Sequence, residues 1–170
     1  FVNGEKALLY GFEVSWEGSK KSIIGIRWNA ALSRGQIFNI EKTTLDEYGQ
    51  VTGTEILEKD ALAEIPPFET NLMVSLQKTE YKILPALHLR YASPQNHVSE
   101  AYYEQPSEGF FLINAHIKYS PVEGISLIAG AKNILNTNYY EHLNRRIIGT
   151  SVDMPEPGRV WYVQLNLQWE

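Results

Sequence analysis

The chain has 170 residues, a formal net charge of −5 and no cysteine. These values exclude disulfides and thiolate metal sites and argue against nucleic acid as a partner. No stretch approaches the ~18 consecutive apolar residues of a membrane-crossing helix, but strands that cross a membrane by alternation escape that test. The opening residues Phe1-Val2-Asn3-Gly4 have none of the features of a secretory leader, so an exported parent protein is expected to begin upstream.

Residues 6–16, KALLYGFEVSW, put Leu8, Tyr10, Phe12, Val14 and Trp16 on one face and Leu9, Gly11, Glu13 and Ser15 on the other. A period of two, rich in aromatic and β-branched side chains, predicts a strand. After a polar turn at 17–21, SIIGIRWNAALSRG sets Ile24, Ile26, Trp28, Ala30 and Leu32 against Arg27 and Asn29. Arg27 facing lipid would cost roughly 2–4 kcal/mol near a bilayer midplane, so its face is expected to meet water. Residues 34–67 are polar and acidic and read as a long loop, closed by Ile65-Pro66-Pro67.

A strand is expected at 68–78, with Leu72, Val74 and Leu76 opposite Asn71, Met73 and Ser75. A tight turn leads to YKILPALHLRYA, where Leu87, Leu89 and Tyr91 oppose His88 and Arg90; Pro85 predicts a bulge or a missing ladder bond. A polar loop follows at 93–108. FFLINAHIKYS then sets Phe111, Ile113 and Ile117 against Asn114, His116 and Lys118, and the turn at 121–124 leads to ISLIAGAKN. After a third long loop at 134–157, the last strand, 158–170, has Trp161, Val163, Leu165, Leu167 and Trp169 on one face and Tyr162, Gln164, Asn166, Gln168 and Glu170 on the other.

Connections thus alternate short and long, and each strand has an apolar face, several with aromatic ends. Short turns on one rim, long loops on the other and an apolar band with aromatic girdles are the marks of an outer-membrane barrel. The fold class predicted is all-β: an antiparallel transmembrane β-barrel, here an incomplete portion of about seven strands. Seven strands leave two bare edges, which hydrocarbon does not tolerate, so the chain reads as a piece of a larger barrel. The apolar set is expected on the outside and Arg27, Asn29, Asn71, His88, Arg90, Asn114, His116, Lys118, Gln164 and Asn166 on the inside.

Four segments, in order, resemble the closing region of TonB-dependent outer-membrane receptors. They are KALLYGFE at 6–13, Ile65-Pro66-Pro67, KNILNTNYYEH at 132–142, and MPEPGRVWYVQLNLQW at 154–169. The resemblance implies that residues 1–170 are the C-terminal portion of such a barrel, with the plug domain and earlier strands absent. It also implies active uptake of a scarce nutrient across the outer membrane of a Gram-negative bacterium, driven by the TonB system acting on the plug. The cargo implied is an iron–siderophore or other metal complex, vitamin B12 or a glycan. A general-diffusion porin shares the alternation but not these segments. A soluble β-barrel binding module fits the loop asymmetry badly.

No enzyme motif is present: His116 and Ser120 share a face, but no carboxylate accompanies them. His88, His97, His116 and His142 lack metal-ligand spacing, so neither metal nor cofactor is expected. His142 is expected to fix the last loop against its neighbours. Tyr102, Tyr103, Tyr139, Tyr140, Arg145 and Arg146 lie in the last two long loops and are the candidate ligand contacts, since aromatic faces and guanidinium groups hold aromatic or anionic chelates. The competing reading of the same residues is loop packing and an interfacial girdle. Leu165, Leu167 and Trp169 mark the terminal strand for membrane assembly. Glu13, Arg27, Glu69, Lys82, Arg90, Lys118 and Lys132 are expected to line the lumen and to pair with one another or with the plug.

Overall fold

The computed structural model describes residues 6–18, 23–78, 80, 82–144 and 154–169. Among these, eight strands form one open antiparallel sheet: β1 Lys6–Glu17, β2 Ile24–Leu45, β3 Val51–Ala61, β4 Glu69–Leu76, β5 Ile83–Ala92, β6 Phe110–Val122, β7 Ile125–Lys132 and β8 Val160–Leu167. The path runs β1-β2-β4-β5-β6-β7-β8, with β3 paired only to β2.

Register carries the sequence alternation across the sheet. Trp28 sits opposite Trp16 on one side and Leu72 on the other. Leu72 faces Leu89, and Leu89 faces Ile113. Leu87 faces Ala115, Ala115 faces Ala131, and Ala131 faces Trp161. Because the side-chain period is two, this chain of pairs places the apolar sets of β1, β2 and β4 to β8 on the same face. That face is bare: Leu8, Phe12, Leu87, Ile117, Val163 and Leu165 are all exposed, Val163 by 73%. The aliphatic side chains therefore do not converge on a closed dry core, as a soluble barrel or sandwich would require. The indole N–H of Trp28 is satisfied on this face by Thr70 Oγ1 at 2.9 Å.

Aromatic residues mark both margins of the apolar band. Trp16, Trp28 and Tyr119 lie toward the short turns, and Tyr91, Phe111 and Trp161 toward the long loops. From Phe111 to Tyr119 is about 26 Å along the strand, or ~20 Å of height at the usual barrel tilt. Trp169 lies just beyond the end of β8 and is exposed.

The opposite face is polar and internally bonded. Asn71 Nδ2 donates to Asn29 Oδ1 at 3.1 Å, and Asn166 Nδ2 to Ser126 Oγ at 3.4 Å. Gly130 lies on this face, where a Cβ would sit 2.7 Å from the Tyr162 hydroxyl, so the ring uses the space. Of the charged residues expected in the lumen, Arg90 pairs with Glu69 at 3.0 Å, while Arg27 lies a loose 3.9 Å from Glu17.

Three expectations need correction. The 34–67 stretch is not a loop throughout: β2 continues to Leu45 and β3 returns beside it, so the described residues hold eight strands instead of about seven. Thr44, Thr52, Lys42 and Glu55 supply cross-strand pairs, and Asp46 Oδ1 accepts the N–H groups of Tyr48 and Gln50 to close the turn. Polarity there reflects a hairpin exposed over most of its length and covered only near its base at Ile40 and Leu57, which composition alone does not distinguish from a loop. Second, of the two outcomes expected at Pro85 the bulge is absent: its pairing with β6 is regular, and it is the β4 ladder that stops one residue short of it, at Ala86, in keeping with a missing ladder bond. Third, the last strand is shorter than 158–170, ending its ladder at Leu167.

Antiparallel order fixes the rims. The connections from β1 to β2, β4 to β5 and β6 to β7 lie at one end, the last a two-residue turn with Gly124 at φ 77°. The β2–β3 hairpin and the stretches between β5 and β6 and between β7 and β8 share the other end. Contacts of 93–108 with 60–64 confirm this: Ser99 Oγ donates to Asp60 Oδ2 at 2.6 Å, and Glu64 N to Glu104 Oε1 at 2.9 Å.

If the bare face meets lipid, charge on it is costly. Val163→Arg is expected to cost roughly 2–4 kcal/mol and Gln164→Arg, one residue along, less than about 1 kcal/mol, measured as unfolding free energy of the full-length protein in lipid vesicles. Equal costs would contradict the assignment of faces.

Candidate functional site

The larger buried apolar side chains, Ile37, Ile40, Ile65, Phe110 and Leu112, lie near the long-loop rim. Ile37 and Ile40 pack with Ala101, Leu57 and Leu62 beneath the hairpin. Phe110, Leu112 and Ala92 pack beneath Tyr139 of the last loop, with the Phe110 and Tyr139 ring centroids 4.5 Å apart. Each long connection thereby has an apolar seat on the sheet or hairpin.

Polar side chains tie the connections together. Asp60, buried at the end of β3, accepts from Ser99 Oγ and from the N–H groups of Glu100, Ala101 and Ala61. Burial pushes this carboxyl up, but the Ser99 hydroxyl and the three backbone donors together outweigh it, so Asp60 stays below the ordinary carboxylate value. Glu104 accepts from Ser99 N at 2.8 Å and from Glu64 N. Arg90 makes paired bonds to Glu141 of the last loop and to Glu69 of β4, and its guanidinium lies 5.2 Å over the Phe110 ring.

Asn133, buried and at φ 49°, starts the last loop. Its Oδ1 accepts from Thr137 N, its Nδ2 donates to Thr137 O and Pro157 O, and its own N–H donates to Asn114 Oδ1. Asn136 Oδ1 accepts from Arg159 N, so the loop's exit is fastened to its entry just before β8. The Lys-Asn segment of the sequence is thus a loop clasp.

His142 is buried, with 3% of its side chain exposed. Its Nδ1 lies 3.0 Å from Ser107 Oγ, and its Nε2 lies 3.3 Å from Glu104 Oε1 but outside hydrogen-bond geometry. It joins the last loop to the preceding one, as expected from the sequence.

These ties enclose a cavity of about 1080 Å³ between residues 62–64, 102–109, 138–144 and Met154. Tyr102, Tyr103, Tyr139 and Tyr140 all line it. Four of the six candidate contacts are therefore brought together; Arg145 and Arg146 lie outside the described residues. The Tyr103 hydroxyl donates to Thr43 O, anchoring that ring to the hairpin. Burial, then the carboxylates of Glu156 and Glu141, push the Tyr139 phenol up, so it remains a neutral donor. Lining carboxylates come from Glu64, Glu104, Glu108 and Glu141, and the described lining includes no lysine or arginine. Leu165, Leu167 and Trp169 are remote from the cavity and exposed on or beside the edge strand β8.

Sequence reasoning passed over Asp60, Glu104 and Asn133. The two carboxylates stand among many acidic residues and look like a solvated face; nothing local marks the ones whose partners lie forty residues away.

Neither protein-family models nor curated proteins gave a match. Solved structures did. The copper transporter OprC is 20% identical, with a TM-score of 0.72 over 95% of this chain and 23% of its own. The ferric-catecholate import receptor Fiu from E. coli K12, in closed form, is 16% identical, with a TM-score of 0.63 over 95% of this chain and 21% of its own. The ferric yersiniabactin uptake receptor FyuA from Yersinia pestis is 14% identical, with a TM-score of 0.71 over 99% of this chain and 24% of its own. All three are TonB-dependent receptors, and the likeness establishes the fold: this chain has the architecture of part of their β-barrel wall. It spans less than a quarter of the length of each.

Asp60 yields a test with a defined sign. Its folded value lies below the unfolded one, so its contribution is complete above about pH 4 and is lost as pH falls through the folded value. Protection factors at the amides of 99–104, corrected for the intrinsic pH dependence of exchange, should fall on acidification below pH 4 while those of 111–118 do not. Asp60→Asn is expected to loosen the same amides at neutral pH by about 1–3 kcal/mol. Uniform acceleration across loops and strands would contradict a local tie.

Proposed function

We propose that this chain is the C-terminal wall and loop set of an outer-membrane active-transport receptor in a Gram-negative bacterium. The observation that carries the reading is the convergence of four tyrosines from two long loops on one cavity at the rim of an apolar-out sheet. Neutral phenols with exposed ring faces suit a ring-bearing chelate, which they contact by stacking and O–H donation. The cargo proposed is a scarce nutrient carried as a metal complex, an iron–siderophore among the candidates; copper, ferric-catecholate and ferric yersiniabactin belong to the names of the similar structures.

Energy would come from the TonB system through a plug domain that is no part of these 170 residues, and the polar face of the sheet would enclose that plug. Outer-membrane lipid would cover the apolar face, with Leu165, Leu167 and Trp169 on the terminal strand that guides assembly. Arg145 and Arg146 remain proposed ligand contacts beside the tyrosines. No catalytic step is assigned.

The test is uptake by cells expressing the full-length protein. Accumulation of cargo should require TonB and the proton-motive force, and Tyr102→Ala with Tyr140→Ala should raise the half-saturating concentration about tenfold. Cells making only residues 1–170 should accumulate nothing. Uptake that persists without TonB would replace this reading with a diffusion porin.

A further inference from the structure

The bare face of the sheet is not uniformly uncharged. On β1, on β2 as far as Phe38 and on β4 to β8, its charged side chains are Lys6 and Arg34. Lys59 of β3 shares that face, because Phe38 pairs with Lys6 on one side and with Lys59 on the other. All three cations therefore sit at one corner of the sheet, at the long-loop rim. The acidic residues next to Lys59 in β3, Glu58 and Asp60, alternate to the other face, where Asp60 is tied to Ser99. Lys42, farther out on the hairpin, already pairs with Glu55.

Height puts this corner at the margin of the apolar band. Arg34 stands six residues from Trp28, about 20 Å along β2 or ~15 Å of height at the usual barrel tilt, and Phe38 lies four residues farther. Adjacent strands are about 4.8 Å apart, so the Lys6 and Lys59 backbones stand roughly 10 Å apart across Phe38. Tyr10, the direct partner of Arg34, shares with it a recess of about 410 Å³ lined also by Gln36, Pro94, Asn96 and His97. Fully buried Gln95 braces this recess. Its Oε1 accepts from Arg34 Nη1 at 3.3 Å and from His97 N at 3.1 Å, and its Nε2 donates to Ile65 O at 2.9 Å. Gln95 is neutral, so it orients the guanidinium without cancelling its charge.

A lone cation at this level can snorkel to water. Three at one corner repel one another, and an anion placed among them relieves that repulsion. Arginine and lysine together suit phosphate oxygens. Directly below the corner the surface is apolar, with Phe12, Val14 and Trp28 exposed. We propose that this corner holds the phosphorylated headgroup of a lipid in the leaflet on the long-loop side, with the acyl chains lying along Phe12, Val14 and Trp28. A free phosphate compound would use the cations and leave the apolar strip uncovered; an acylated one matches both. This rests on the bare face meeting a membrane, and it adds which headgroup chemistry is held there and where.

The experiment is lipid titration of the full-length protein in neutral detergent, read by native mass spectrometry. The probes are diphosphoryl lipid A, monophosphoryl lipid A and phosphatidylcholine, with inorganic pyrophosphate as competitor. Affinity is expected to fall in that order of lipids at low salt, and the differences to shrink as salt screens the cations. Each of Lys6→Gln, Arg34→Gln and Lys59→Gln should weaken diphosphoryl binding about fivefold and leave phosphatidylcholine unchanged. Unboiled gel mobility checks that each variant is a folded barrel. The triple variant Arg27→Gln, Lys118→Gln, Lys132→Gln removes the same charge from the opposite face and should change nothing; an equal loss there would overturn the site. Displacement of the lipid by pyrophosphate at matched concentration would overturn the lipid as occupant. Phosphatidylcholine retained as tightly as the phosphorylated lipids would overturn the headgroup site and leave the membrane reading standing. A protein that retains no lipid of any class would overturn both.

Discussion

An antiparallel register that holds from β1 to β8 is the constraint on which the rest depends. Alternation within a strand fixes only which residues share a face. Register decides whether neighbouring strands agree, and a slip by one residue anywhere would turn one strand's aliphatic set over. Here Trp28–Leu72, Leu72–Leu89, Leu87–Ala115 and Ala129–Val163 agree in succession. One apolar face and one polar face result, and backbone groups are satisfied laterally, which is what a spanning sheet in hydrocarbon requires. The edges at β1 and β8 are where that satisfaction stops within these residues.

The same antiparallel order sends all the long connections to one rim, and there the energetics change. Below the rim, stabilisation is repetitive: ladder bonds and cross-strand side-chain pairs. Above it, a few buried polar groups do specific work. Asp60, Glu104, Arg90 and Asn133 each join segments far apart in sequence, and each satisfies several donors or acceptors that burial would otherwise leave unpaired. Apolar seats beneath them, Ile40 in one place and Phe110 in another, keep those bonds out of water. The cavity is the space left between segments held this way, so its shape is set by loop-to-loop ties more than by the strands.

Charge and aromatic character follow from that construction. Tyr103 reaches the hairpin and Tyr139 stacks on the sheet, so both rings are held by their surroundings. Carboxylates used for tying are engaged locally, Glu141 by Arg90 and Glu104 by backbone donors.

The sequence by itself determined the strand periodicity, the face each side chain shares, the alternation of short and long connections and the resemblance in four segments. All of these depend on near neighbours or on a period of two, and such information survives in one dimension. Convergence of Tyr102, Tyr103, Tyr139 and Tyr140 on one cavity was foreseeable only as shared loops; their meeting required the rim to be assembled. The tertiary structure alone decided that 34–67 contains a hairpin, that Asp60 and Glu104 are ties, and that Asn133 clasps the last loop. The physical reason is common to all three: a polar residue in a polar stretch reads the same whether it faces water or a partner elsewhere in the chain, and only folding brings that partner within hydrogen-bond reach.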